Sequence, residues 1–243
     1  MEPPPPTGTA DSATLERRLC EVAENRPSGG YRIVSLRDLA GPEPLPGQLY
    51  VLSADADQAE AGRTAWPSRQ VPIAATVPGP GGIRLDFLVA GTGDDPLAGL
   101  AAGDLVLVTG PFGTPFAAPS ELSPAAAGAV LVGAGLGIAP LALLRRRLGE
   151  RGVPLRVLLG FNGERDPGGL ELFCGSGAEL CPEVRLASED VTDLLAVLLE
   201  GDDAPSAVVY SCGPAATVEV VRRLCAERGV VCELRSEGGP GLP

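Results

Sequence analysis

Near the middle of the chain an unbroken apolar run, Ala129-Val130-Leu131-Val132, passes straight into Gly133-Ala134-Gly135-Leu136-Gly137-Ile138-Ala139-Pro140. A continuous apolar run suits a strand covered on both faces. The glycines allow a sharp turn, and residues 140–148 then read as a helix. Strand, glycine turn and helix in that order are the opening of a parallel βαβ sheet. The rhythm continues. Leu155-Arg156-Val157-Leu158-Leu159, Glu183-Val184-Arg185-Leu186, Ala207-Val208-Val209-Tyr210 and Val230-Val231-Cys232-Glu233-Leu234 read as further strands, with helices over residues 191–199 and 216–227. This predicts an α/β domain with a parallel sheet and helices on both faces. There is no internal repeat.

The first half has a different period. Tyr31-Arg32-Ile33-Val34-Ser35-Leu36 and Ile83-Arg84-Leu85-Asp86-Phe87-Leu88-Val89 alternate. Gln48-Leu49-Tyr50-Val51-Leu52 follows the turn pair Pro46-Gly47, Val71-Pro72-Ile73-Ala74 is a short run, and Asp104-Leu105-Val106-Leu107-Val108 precedes Gly110-Pro111. Short strands at this spacing predict a small antiparallel barrel, with a helix over residues 96–102 before the last strand. The organisation expected is a tail over residues 1–18, a barrel over 19–116, an Ala-, Pro- and Ser-rich linker over 117–127, the α/β domain over 128–237 and a tail over 238–243.

Charge and composition narrow the chemistry. The net charge is −12, which a nucleic acid or an anionic lipid surface would repel. Histidine is absent, so Ser-His and Cys-His nucleophiles, His-ligated zinc and imidazole acid–base chemistry are excluded. Such a chain would leave hard chemistry to a cofactor. The start is Pro-rich and acidic, unlike a secretory signal, and no stretch has the length and apolarity of a membrane span, so a cytoplasmic protein is expected. Six cysteines are present, none spaced as C-x-x-C, and they read as small buried apolar residues.

Two turns carry the candidate chemistry. The spacing G-x-G-x-G over Gly133, Gly135 and Gly137 departs from the usual dinucleotide fingerprint, yet glycines before a helix start let a backbone approach a pyrophosphate. Tyr210-Ser211-Cys212-Gly213-Pro214 again ends a strand before a helix, where open α/β domains bind ligands.

Together with Leu159-Gly160-Phe161, these two turns resemble the nicotinamide half of ferredoxin–NADP reductase-like proteins. Within that group the chain most resembles the electron-transfer subunit of type B dihydroorotate dehydrogenase, an enzyme of pyrimidine biosynthesis. Upstream, Glu21-Val22-Ala23-Glu24-Asn25, Pro46-Gly47-Gln48, residues 91–100, Gly103-Asp104 and Gly110-Pro111-Phe112-Gly113-Thr114 fall in the matching order, so the resemblance spans roughly residues 20–237. It implies an FAD-type barrel and an NAD(P)H-binding domain. Gly133, Gly135, Leu136, Gly137 and Pro140 would hold the dinucleotide's phosphates. Cys212, Gly213 and Pro214 would border the nicotinamide, with Cys212 as the catalytic candidate. Asn162, Glu164, Arg165 and Asp166 would lie near the adenosine ribose, where the acids favour NAD and the arginine a 2′-phosphate. On the barrel, Arg69, Pro72, Ile73, Gly91, Gly93 and Phe112 would serve FAD.

The chain also departs from that family. The family's Cys-rich loop for a [2Fe–2S] cluster is replaced by Gly238-Gly239-Pro240-Gly241-Leu242-Pro243, so no cluster and no metal are expected. The family's Arg-Pro-apolar-Ser stretch aligns with Val71-Pro72-Ile73-Ala74, leaving Arg69 to reach a phosphate only through a bulge. Asp94 stands where the family has Thr, and a carboxylate about 4 Å from a phosphate is repelled by roughly 4 kcal/mol at an effective dielectric of 20. Weak flavin binding follows. The function expected is an electron-transfer oxidoreductase component, passing reducing equivalents from NAD(P)H through FAD to a dihydroorotate dehydrogenase-like partner subunit. The alternatives are a non-catalytic partner-binding or regulatory relative without flavin or cluster, and a stand-alone NAD(P)H flavin reductase.

Overall fold

The alternating strands of the first half close on themselves. In the computed structural model, which describes residues 17–54, 67–79, 81–91, 95–161, 168–174, 183–187, 190–201 and 206–237, β1 (Arg18–Ser28), β2 (Tyr31–Asp38), β3 (Leu49–Ala54), β4 (Arg69–Gly79), β5 (Gly82–Ala90) and β6 (Leu105–Phe112) form a closed barrel in the order β1-β2-β5-β4-β3-β6. Its neighbouring strands pair antiparallel. Alternation decides which side chains enter. Val34, Leu36, Ile73, Leu85 and Phe87 fill the interior, while Ile33, Ala74 and Leu88 face outward into a second core. Phe87 meets Tyr50 edge-on at 5.6 Å between ring centroids inside the barrel.

The second half makes a five-stranded sheet of β7 (Gly128–Ala134), β8 (Leu155–Gly160), β9 (Val184–Ala187), β10 (Ala207–Gly213) and β11 (Cys232–Ser236), ordered β11-β10-β7-β8-β9 with every pair parallel. The helices are α1 (Pro119–Leu122), α2 (Ile138–Glu150), α3 (Glu171–Cys174), α4 (Val191–Leu199) and α5 (Ala215–Arg228). Helix α2 packs on one face with Leu131 and Leu159, and α4 and α5 on the other with Val130, Val132 and Val209. That is the two-faced cover the unbroken apolar strands require.

Several local expectations shift. The helix expected over residues 96–102 is one 3-10 turn, Pro96–Gly99. Asp95 caps it by accepting from the Leu97 N–H at 3.0 Å, and the chain becomes extended again at Leu100. The linker holds the short α1, begun by Pro119. Val230 does not open the last strand. It completes the end of α5, where Gly229 takes φ +66° and the Val230 N–H donates to Cys225 O at 2.9 Å.

The two halves are joined by packing and by polar ties. Ile33, Ala74 and Leu88 of the barrel share a buried cluster with Ile138 and Leu141 of α2. Arg146 of α2 donates to both the carbonyl and, at 2.6 Å, the hydroxyl of Thr76. Gly168 sits so close to the barrel that a Cβ there would lie 1.9 Å from Ser28 O, and Ser28 Oγ donates to Glu171 at 2.9 Å. Arg235 of β11 donates to Gly47 O at 2.9 Å and stacks 4.0 Å over the ring of Phe116.

One tie inside the second domain has a pH consequence. Arg145 of α2 pairs with Glu183 beside β9, and that hydrogen bond holds the Glu183 carboxyl below the usual carboxylate range. A lowered folded value means the pair stabilises the fold above the ordinary glutamate range and is lost as pH falls through the folded value. Glu183→Gln should therefore cost about 0.5–1 kcal/mol at pH 7 for so partly exposed a pair. The difference in melting temperature from the parent should shrink as the pH of the melts is lowered below the ordinary glutamate range.

Candidate functional site

Strands β7 and β10 lie side by side at the middle of the sheet, with Ser211 opposite Val132 and Cys212 opposite Gly133. Both strands end at the same level, so their turns meet beyond the carboxyl edge. Glycine is needed there for approach as well as for conformation. A Cβ on Gly137 would lie 2.4 Å from both Cα and N of Gly213 and 2.5 Å from the Cys212 carbonyl carbon. All of these are backbone atoms and cannot step aside. Gly135 adopts φ +59°, the left-handed region in which glycine is unstrained. Pro140 falls in the first turn of α2, where a missing N–H leaves no helical bond unmade. Thus Gly133, Gly135, Leu136, Gly137 and Pro140 from one turn converge with Cys212, Gly213 and Pro214 from the other.

The Cys212 thiol is buried, and desolvation, with a further push from the Glu237 carboxylate, moves it up to about 12. A thiol so displaced stays neutral at physiological pH. It can pack against a flat uncharged ring but is not primed for nucleophilic attack.

Glu237 is a residue the sequence reading did not single out. It follows β11 directly. Its N–H donates to Gly213 O at 2.8 Å, and its Oε1 accepts from the Gly137 N–H at 2.6 Å. Partial burial pushes its carboxyl above the usual range despite that bond. The only hint in the sequence was its place just past the last strand, and parallel register alone brings that place over the glycine turn.

The barrel candidates lie mostly on β4 and β6, the two strands that flank β3. Pro72 and Phe112 both pair with Leu49, so they flank it on neighbouring strands. Arg69 is exposed at the start of β4, opposite Leu52. Ile73 is fully buried in the barrel core, and its N–H donates to Gln48 O at 3.1 Å. Its side chain and its amide are both committed to the barrel. Val71 and Ala74 are buried and apolar, so this strand supplies neither an arginine nor a hydroxyl where the flavin family has them. The pairing with β5 does bulge, between Ile73 and Ala75, which is beyond Arg69 and does not re-aim it. Gly91 abuts the β1–β2 turn, where a Cβ would lie 2.6 Å from Gly30 O. Thr92, Gly93 and Asp94, and the ribose candidates Asn162, Glu164, Arg165 and Asp166, lie outside the described residues.

No family model matches the chain. Among curated proteins it is 34% identical over 161 residues to the dihydroorotate dehydrogenase B (NAD(+)) electron transfer subunit of Bacillus caldolyticus, a match covering 63% of this chain and 58% of that protein. The chain therefore spans less than two thirds of that relative's length. The corresponding subunit of Shouchella clausii is 28% identical over 220 residues, covering 87% of this chain and 79% of the relative. In structure the chain superposes on the ferredoxin reductase in carbazole 1,9a-dioxygenase with a TM-score of 0.72 at 18% identity, covering 93% of this chain and 70% of that one. A barrel followed by a parallel-sheet domain is the fold the two share.

Proposed function

We propose that this chain, which has the ferredoxin reductase fold and is similar in sequence to dihydroorotate dehydrogenase B electron transfer subunits, is an NAD(P)H-binding oxidoreductase component that passes reducing equivalents through FAD to a catalytic partner subunit. The observation that carries the reading is the meeting of Gly137 with Gly213 at the carboxyl edge of β7 and β10. Glycines in both turns let a ligand approach the start of α2, where the helix dipole favours a diphosphate in the place now taken by the Glu237 carboxylate on the Gly137 N–H. The neutral Cys212 thiol forms one wall for the nicotinamide ring. The ties between the halves, through Arg146, Arg235 and Glu171, hold the α/β domain and the barrel in fixed relation.

FAD is the acceptor in this reading and is weakly held, because β4 offers Val71 and Ala74 where a phosphate and a flavin ring would want Arg and Ser. A partner of the dihydroorotate dehydrogenase type is the acceptor beyond it. The reading without a [2Fe–2S] cluster rests on the sequence alone, where the glycine- and proline-rich residues 238–243 stand in place of a cysteine-rich loop. Among the described residues, no helix is long and apolar enough to cross a membrane.

Calorimetric titration with NADH, paired with an absorbance spectrum of the purified protein, tests the reading. Measurable NADH affinity with substoichiometric flavin is expected, as is ferricyanide reduction once FAD is added. NADH binding without reduction of any acceptor would point to the non-catalytic relative. Gly135→Asp should lose NADH affinity by roughly tenfold or more, since it sets a carboxylate against the diphosphate. Equal affinities in the two proteins would sink the assignment of this turn.

A further inference from the structure

We propose that Glu237 is an internal anion that closes the glycine turn and has to leave it before a dinucleotide's diphosphate can bind. The inference rests on the dinucleotide reading above and adds a gate to that site. One residue bridges both turns: its Oε1 takes the Gly137 N–H at 2.6 Å and its own N–H goes to Gly213 O at 2.8 Å. Its carboxylate also lies where a side chain on Gly135 would begin, 3.2 Å from that Cβ position. Gly137 precedes the first turn of α2, a helix of 13 residues, so the carboxylate takes an N–H that an incoming phosphate would use.

Two anions cannot share that N–H. A diphosphate arriving beside an ionised Glu237 meets repulsion at contact distance, and relief requires the carboxylate to swing out. The contact is poised to open. The carboxylate is partly withdrawn from water, which lifts its pKa, and one backbone N–H only partly compensates. Among the described residues, the charged and titratable groups around it do not hold it in place. Cys212 on β10 is a neutral thiol, and Arg235 on β11 is engaged by Gly47 O, Glu233 and the Phe116 ring.

The experiment uses the full chain and its Glu237→Gln and Glu237→Ala variants, titrated by calorimetry with NADH and with ADP-ribose, which keeps the diphosphate but lacks nicotinamide. Gln keeps an acceptor for the Gly137 N–H and removes the charge; Ala removes both. Affinity for both ligands should rise in the order parent, Gln, Ala, with the Ala variant about five- to tenfold tighter than the parent. Should the Ala variant melt below the working temperature, the near-isosteric Gln variant decides. Measurable binding that is equal or weaker in the variants would overturn the gate and leave the dinucleotide site standing. No binding of either ligand to any of the three proteins would overturn the dinucleotide reading itself, and the gate with it.

Discussion

Gly137→Ala should lower the stability of the α/β domain by about 2–3 kcal/mol and abolish NADH binding. The added methyl would enter a space 2.4 Å from the backbone of Gly213, where no rotamer change can make room. Either β10 and its turn retreat from β7, or the start of α2 lifts. Each movement breaks the convergence on which an anion site depends. For a chain of this length the melting temperature should fall by roughly 5–10 °C. Gly99→Ala is the control, because a Cβ there meets nothing within 4 Å, and it should stay within about 0.5 kcal/mol of the parent. Thermal melts and NADH titrations of the two variants side by side check both parts. A Gly137→Ala protein that melts and binds like the parent would mean the turns are not packed backbone to backbone.

The second large effect belongs to the barrel. Arg18→Met should destabilise it by about 3 kcal/mol or more. Asp38 is 2% exposed, and Arg18 meets its carboxylate with Nε at 3.0 Å and Nη2 at 2.8 Å. The same Nη2 donates to Gly110 O at 2.9 Å, so one guanidinium ties the start of β1 to the end of β2 and to β6. Among the described residues, removing it leaves the buried carboxylate with the N–H groups of Ala40 and Gly41. Arg18→Lys should recover part of the loss, since an ammonium cannot span the carboxylate and the carbonyl as a fork does. Chemical denaturation with a probe in the barrel measures the difference. A loss below about 1 kcal/mol would show that water reaches Asp38 freely.

Much of the architecture was legible because it follows from periodicity. Alternation in Tyr31-Arg32-Ile33-Val34-Ser35-Leu36 had to become a strand with two different faces, and it did: Val34 and Leu36 turn into the barrel, while Ile33 packs under α2. The unbroken Ala129-Val130-Leu131-Val132 had to be covered twice, and Leu131 and Val132 lie in cores on opposite faces of the sheet. Short elements were harder to read. Pro96 and Asp95 signal a helix start truthfully, but nothing local says that it stops after a single turn. Likewise Val230 and Val231 have strand propensity, yet the αL cap at Gly229 spends Val230 on closing α5.

By itself the sequence determined where strands and helices begin to repeat, that two kinds of sheet follow one another, and that glycines crowd two strand ends. These are properties of neighbours along the chain, which backbone geometry and side-chain period dictate. Only the tertiary structure decided what those ends face. Gly137 and Gly213 are far apart in sequence and in contact in space because β7 and β10 pair in parallel with Cys212 opposite Gly133. The same pairing of β10 with β11 carries Glu237 onto the Gly137 N–H across 100 residues. Arg18 and Asp38 look like ordinary surface charges in sequence, and only barrel closure buries them together. A contact of that kind depends on strand order and register, which long-range burial selects and no local pattern encodes.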